Sequence, residues 1–291
     1  MNQFIRNLVL VVMLFSYPLT MLADATARPK ANNKLGISKK TQEEKQQISF
    51  DWRFRGFSTI QLLTEEECDE INEELEKLRK ERQSTTKEDG SEWGEYDPFV
   101  YPHKISDKIS KLFTHPKIIE SVEYVLGDKV NGTQTWAYFK PPGQLGRDMH
   151  QNSFYTGCKH NEYVNIALAL DNHDEENGAV WNYEGTHRLG ILPIEVDKER
   201  IKTNPKNWSN ERGKPCVMPE GHDFKKIQGN TRKGEMVLLH SHTVHGSETN
   251  HSNRFRRNFL AGFSLKGSTF TQGTHMKREP IDVYSLQKKY W

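Results

Sequence analysis

Cysteine is scarce in this 291-residue chain: Cys68, Cys158 and Cys216 are the only three. That excludes a disulfide-stapled scaffold, and an odd count leaves room for one bridge at most. Cys68 falls on an apolar helical stripe, which makes it the least suited to pair. An excess of one charge is missing too, since 41 Lys and Arg against 39 Asp and Glu give a net +2. No nucleic-acid-binding surface is implied, and pairs such as Lys39-Lys40 and Lys288-Lys289 read as solvated surface. The chain has no internal repeat, no low-complexity tract and no uninterrupted apolar run of the ~20 residues that span a bilayer. Its mean hydropathy is -0.82. What it does have is 34% hydrophobic residues, 10% aromatics and six tryptophans, enough for a packed core. At this length a single large barrel or sandwich remains admissible.

The N-terminus differs in kind from the rest. Arg6 precedes the apolar run Leu8 to Phe15, followed by Ser16, Pro18 and the small-residue site Ala23-Asp24-Ala25. This is the pattern of a secretory signal peptide over residues 1–25, with an uncleaved membrane anchor as the alternative. Either places the remaining chain in the secretory lumen, the periplasm or the exterior, and no other membrane association is expected. Residues 26–47 are rich in Lys and Gln and nearly free of large apolar groups, so a flexible linker is expected there. The folded domain is expected over 48–291, including a C-terminal tail. Asn131-Gly-Thr133, Asn207-Trp-Ser209 and Asn250-His-Ser252 match the glycosylation sequon, which matters only in a eukaryotic host.

Phe50 to Leu63 reads as a first strand. Thr64 then caps a helix with Glu67 three residues on, and Cys68, Ile71, Leu75 and Leu78 form its buried stripe. A second helical region spans Asp107 to Leu126, restarted by Pro116, with Ile118, Ile119, Val122 and Val125 inward and Gly127 ending it. Beyond Lys129 the texture turns to short β segments: Gln134 to Lys140, Asn152 to Thr156, Tyr163 to Leu170, Ala179 to Tyr183, Met236 to His240 and Asn258 to Ser264. Helices followed by many strands give an α+β class whose sheet part closes as a sandwich or barrel.

Two stretches carry chemistry, MHQNSFY ending at Tyr155 and HSHTVHGSETNHSNRFRR ending at Arg257. His150 begins a strand-like run in which residues 150 and 152 would share a face, because strand side chains alternate. His245 follows the apolar strand Met236 to Leu239. Arg256, eleven residues later, opens the next strand, so a hairpin would bring it near His245. Two histidines and one carboxylate on one face of the metal are the usual ligands of a non-heme Fe(II) oxygenase. Here the position two after His150 holds Asn152.

Several blocks, in their order and spacing, resemble the phytanoyl-CoA dioxygenase family of Fe(II)/2-oxoglutarate oxygenases across roughly Ile48 to Ser264. They are RGFSTIQLLTEEECDEI, HPKIIESVEYVLGDKV, KPPG at Lys140 to Gly143, ALALDNHDEENGAV, EGTHR at Glu184 to Arg188, and KGEMVLLHSHTVHGSETNHS. The resemblance implies a double-stranded β-helix (jelly roll) with N-terminal helices packed on it. It implies Fe(II) and 2-oxoglutarate as cofactor and cosubstrate, with ascorbate as an accessory reductant, and hydroxylation of a small-molecule or lipid-derived substrate coupled to succinate formation. Carried over by position, His150, Asn152 and His245 are the metal positions. Arg256 matches the arginine that pairs with the far carboxylate of 2-oxoglutarate, and Ser247 and Ser252 are helpers for that carboxylate. Ala167 stands where such hydroxylases tend to have a tryptophan.

Asn152 leaves three readings open: ligation through the amide oxygen in a weakened oxygenase, a catalytically inactive binding protein that kept the fold, or a halogenase-like variant admitting an anion. A ligand from elsewhere is a fourth, with Asp148 on the same strand face. Lys140 and His187 are candidates for the substrate pocket, each weighed against an ordinary surface or core role. His240 and His242 would share one strand face and His245 the other, which speaks against a separate zinc cluster. Arg257 should point away from Arg256. The insertion Ile191 to Gly229 is expected to shape the pocket, although no motif in it names a substrate.

Overall fold

The computed structural model describes residues 35–85, 92, 94–202, 214–273 and 277–291. The signal or anchor segment and the start of the linker lie outside them, as does part of the 191–229 insertion.

The helix α1 (Gln42–Phe50) comes first and runs on into a π-helical turn, Asp51–Arg55. It occupies the last six residues of what the sequence suggests is linker, 42–47, and the start of the expected strand. The reason is local: the Thr41 hydroxyl accepts from the Glu44 N–H at 3.2 Å, and the Glu44 carboxylate accepts from the Thr41 N–H at 2.7 Å. Ile48 and Trp52 then bury this segment against the core. A capping box plus two buried apolar groups outweighs a polar composition. The first strand is therefore shorter than expected, β1 (Phe57–Gln61).

Next come α2 (Glu65–Gln83), β2 (Phe99–Val100), α3 (Asp107–Phe113) and α4 (Pro116–Leu126). Thr64 and Glu67 form the expected capping box, and the Cys68–Ile71–Leu75–Leu78 stripe is buried. The strands β3 (Val130–Lys140) and β4 (Arg147–His150) precede α5 (Asn152–Thr156), and β5 (Tyr163–Ala169) and β6 (Val180–Tyr183) precede α6 (Lys198–Lys202). The remaining elements are β7 (Lys226–Gln228), β8 (Glu235–His240), β9 (His245–Ser247), β10 (Arg256–Leu265) and α7 (Val283–Tyr290). Asn152 to Thr156 is thus a helical turn, not a strand. All three cysteines are free and buried.

Two antiparallel sheets follow the jelly-roll order, β1-β8-β5-β10-β3-β2 and β4-β9-β6-β7. Strand alternation gives the large sheet two different faces. Val164, Leu168, Met236, Leu238, Phe259 and Phe263 share a core with Leu75 of α2, Phe113 of α3 and Ile118 of α4. The alternate positions face the small sheet, and one row, Trp136, Leu260, Ala167 and Val237, runs in register across β3, β10, β5 and β8. No helix among the described residues is long and apolar enough to cross a membrane.

Candidate metal and cosubstrate site

The space between the sheets is a cavity of about 120 Å³ lined by both. That is the scale that admits a benzene-sized guest, so the cavity suits a small molecule. On its small-sheet side β4 and β9 pair with His150 directly opposite His245. Their ring centroids are 4.2 Å apart. The close crossing of β4 on the chain after β9 needs Gly146, where a Cβ would lie 1.9 Å from the Ser247 carbonyl oxygen.

Both imidazoles are oriented the same way. Nδ1 of His150 lies 2.8 Å from the Asp148 carbonyl and Nδ1 of His245 lies 2.8 Å from the Thr243 carbonyl. A carbonyl only accepts, so each Nδ1 carries the proton and each Nε2 is left as the basic nitrogen. This is how metal-binding histidines are commonly held. Burial, followed by repulsion from His150, keeps His245 neutral well below its ordinary range.

Asn152 also lines the cavity, but from the first position of α5. Two features turn the chain there. The Ser153 N–H donates to the Ser241 carbonyl at 2.8 Å. The buried Gln151 amide donates to the carbonyls of Gly190 at 2.7 Å and His242 at 2.6 Å, and its oxygen accepts from the Leu192 N–H at 2.7 Å. Gln151 thereby ties the segment bearing His150 and Asn152 to the turn that leads into His245. Nothing in the sequence marks it beyond its place between two candidate ligands. Asp148 is buried but does not line the cavity, and among the described residues no three His, Cys, Asp or Glu side chains could hold a metal together.

Across the cavity, Arg256 opens β10 and pairs with Lys140 of β3. Arg256 is buried, and its Nε and Nη1 have no hydrogen-bond partner among the described residues. A buried donor left unsatisfied costs ~1–3 kcal/mol, more when charged, so this guanidinium is suited to an acceptor that the described residues do not supply. Burial and then the charge of Arg147 push it down to about 10. Lys140 is pushed down to about 6 by burial, then by Arg256 and Arg147. Its Nζ lies 3.5 Å from the Gly178 carbonyl and from Oγ of Ser247, and also donates to the Glu248 carbonyl. Ser247 lines the cavity, its Oγ accepting from the Arg147 N–H at 3.2 Å. Arg147, three residues before His150, is a lining residue that sequence reasoning missed.

Two expected residues are elsewhere. Ser252 sits in the turn before β10, where its hydroxyl donates to Oδ1 of Asn250 at 2.8 Å, and it does not line the cavity. The turn folds back on itself, so closeness in sequence to Arg256 does not carry Ser252 inward. His187 is buried in a separate cluster, its ring centroid 5.1 Å from His240 and 6.2 Å from His160, with Nε2 against the Arg53 carbonyl at 3.0 Å. His240 and His242 do share a side, 5.5 Å between centroids, in that same cluster. Arg257 points away from Arg256, with Nε and Nη2 each 2.8 Å from Asp171.

Comparison with known proteins bears on the family and the fold. The phytanoyl-CoA dioxygenase (PhyH) family model matches residues 55–258. A probable alpha-ketoglutarate-dependent hypophosphite dioxygenase of Stutzerimonas stutzeri is 25% identical over 163 residues, 56% of this chain and 55% of that protein. Peroxisomal phytanoyl-CoA dioxygenase of Bos taurus is 24% identical over 201 residues, 63% of this chain and 55% of that protein. The chain thus spans about half the length of these curated relatives. Among solved structures, the epimerase SnoN, in complex with Fe3+, alpha ketoglutarate and nogalamycin RO, covers 83% of this chain and 96% of its own at TM-score 0.64 and 17% identity. The non-heme monooxygenase ThoJ covers 84% and 94% at TM-score 0.62 and 16% identity.

Proposed function

Since the chain belongs to the phytanoyl-CoA dioxygenase family, we propose that it is an Fe(II)/2-oxoglutarate-dependent oxygenase hydroxylating a small-molecule or lipid-derived substrate. The observation that carries this reading is that buried Arg256 leaves Nε and Nη1 without a partner among the described residues, in the cavity that holds His150 and His245. In this reading Nε2 of each histidine binds the metal, and the Asn152 amide oxygen is the third protein donor. Arg256 pairs with the far carboxylate of 2-oxoglutarate through its planar fork, helped by the Ser247 hydroxyl. When bound, the metal and cosubstrate supply the oxidising power, coupling loss of CO₂ from 2-oxoglutarate to substrate hydroxylation. The chain orients both and keeps water out between the sheets. We propose that residues 1–25, as a signal peptide or an uncleaved anchor, direct this activity to the secretory pathway, the periplasm or the exterior.

Asn152 supports a second reading. A neutral amide gives a divalent cation less than a carboxylate does, and a protein retaining the fold only for binding would tolerate it. Succinate release separates the two. The oxygenase reading expects the natural protein, given Fe(II), 2-oxoglutarate and O₂, to form succinate above a protein-free control. Succinate from Asn152→Asp and none from the natural protein would favour the binding-protein reading. Chloride-dependent change in the iron spectrum is what the halogenase-like variant requires.

A further inference from the structure

Four amide side chains line the cavity besides Asn152: Gln144, Asn165, Asn182 and Asn258. The side-chain oxygen of each is buried and has no hydrogen-bond partner among the described residues. Asn165, Asn182 and Asn258 are only 5%, 4% and 4% exposed. A buried acceptor without a donor is costly, which makes these positions receptive to a ligand that donates.

Register divides the four between two ends of the cavity. Asn258 is two residues past Arg256 on β10, and Gln144 is joined through Asn250 to the Lys140 carbonyl, so both belong to the cosubstrate end. The basic side chains gather there too. Lys140 pairs with Arg256, its Nζ lies 3.5 Å from Oγ of Ser247, and Arg147 pairs with Ser247. Asn165 stands elsewhere. It pairs with Gly262, six residues past Arg256, which is about 20 Å along an extended strand. Asn182, on the small sheet, is directly opposite His245.

With the far carboxylate on Arg256 and the metal on the two histidines, the basic end is filled. The room left for a substrate is walled by Asn165 and Asn182 and by apolar Ala167, Val237 and Leu239, with Leu239 paired to Asn165 and Val237 to Ala167. No Asp, Glu, Lys or Arg stands among these, so a charged group buried there would lose its hydration without gaining a counter-ion. We propose that Asn165 and Asn182 hold the substrate, and that it is an uncharged molecule with an apolar body and a hydroxyl or carboxamide group. This rests on the oxygenase reading for what fills the other end. Hydroxyl and carboxamide each donate and accept, as an asparagine amide does, whereas a carboxylate has nothing to donate to the two bare oxygens. The small Ala167 side chain leaves the apolar body room.

The test is ligand-detected NMR titration of the protein saturated with Mn(II) and 2-oxoglutarate. Butanamide and butan-1-ol are the neutral probes, with butanoate and butylamine as charged controls. Bound Mn(II) relaxes the protons of a molecule held beside it, so the signal separates binding in the cavity from binding on the surface. Saturable relaxation of a neutral probe is expected, tighter than either control; tighter butanamide indicates an amide substrate, tighter butan-1-ol an alcohol. Asn165→Leu and Asn182→Leu should each weaken the better probe by about three- to tenfold, as loss of one neutral hydrogen bond does, while 2-oxoglutarate affinity stays within about twofold. Where a leucine variant does not fold, Asn165→Ala or Asn182→Ala is read in its place with the same expectation. Failure of both neutral probes to bind, a charged control binding as tightly, unchanged probe affinity in either variant, or an equal loss of 2-oxoglutarate would overturn the proposal. If the natural protein binds no Mn(II) and no 2-oxoglutarate, the oxygenase reading fails separately. Saturation transfer to the neutral probes in metal-free protein then decides: binding lost in Asn165→Leu upholds the amide site, and no binding overturns it.

Discussion

Lys140 and Arg256 face one another in the β3–β10 ladder, two basic side chains paired across adjacent strands and both buried in the cavity wall. Their closeness has a thermodynamic signature. Lys140, pushed down to about 6, is largely neutral at pH 7. A carboxylate arriving at Arg256 restores its proton affinity, so 2-oxoglutarate binding takes up protons between about pH 6 and the ordinary lysine range near 10.4. The calorimetric enthalpy should therefore vary with buffer ionisation enthalpy at about pH 7.5, and this dependence should vanish in Lys140→Met. Arg256→Gln should weaken 2-oxoglutarate by about ten- to a hundredfold, from loss of charge-assisted hydrogen bonds.

Gln151 is predicted to matter without touching the ligands. Its three hydrogen bonds join the His150–Asn152 segment to Gly190, Leu192 and His242. Gln151→Leu keeps the volume and leaves those buried backbone groups unmatched, at a cost of ~1–3 kcal/mol. A lowered urea midpoint together with weaker Mn(II) binding is expected. Unchanged metal affinity in a folded variant would show that the tie positions nothing.

Legibility of the site follows how local each cause is. His245 and Arg256 are close in sequence because only residues 248–255 separate β9 from β10, whereas His150 meets His245 through the long-range β4–β9 pairing. Asn152 reads as a strand residue, because an alternating pattern does not reveal that Ser241 captures the Ser153 N–H and turns the chain into α5. The α1 segment reads as linker because QEEKQQ is polar, although Thr41 and Glu44 already spell a capping box. Arg147 escapes a motif reading because its place in the cavity lining comes from tertiary packing, with its guanidinium over the Tyr138 ring of β3, a long-range relation no short motif encodes. Ser252 and His187 mislead for the converse reason: they belong to family blocks, but the turn and the histidine cluster direct them elsewhere.

Acid should destabilise the fold earlier than carboxylate chemistry alone would. Burial holds His103, His115 and His242 down to about 4, His173 to about 3 and His240 to about 2. Unfolded histidines titrate near 6.5, so below that pH the unfolded chain binds more protons than the folded one, and stability falls as pH drops toward these folded values. Each such group contributes up to ~1.4 kcal/mol per pH unit. Urea midpoints should decline steeply from about pH 6.5 to 5, where several buried histidines take up protons on unfolding, against the single proton that Lys140 takes up at higher pH. A flat profile down to about pH 5 would contradict burial of these rings in the neutral form.

Whether a site with Asn152 in place of a carboxylate still holds iron and its cosubstrate is decided most directly by anaerobic titration of Fe(II) and 2-oxoglutarate, followed by visible absorption. The natural protein is expected to bind both in a one-to-one complex, with Asn152→Asp binding the metal more tightly. No complex with the natural protein, alongside a full complex with Asn152→Asp, would contradict it.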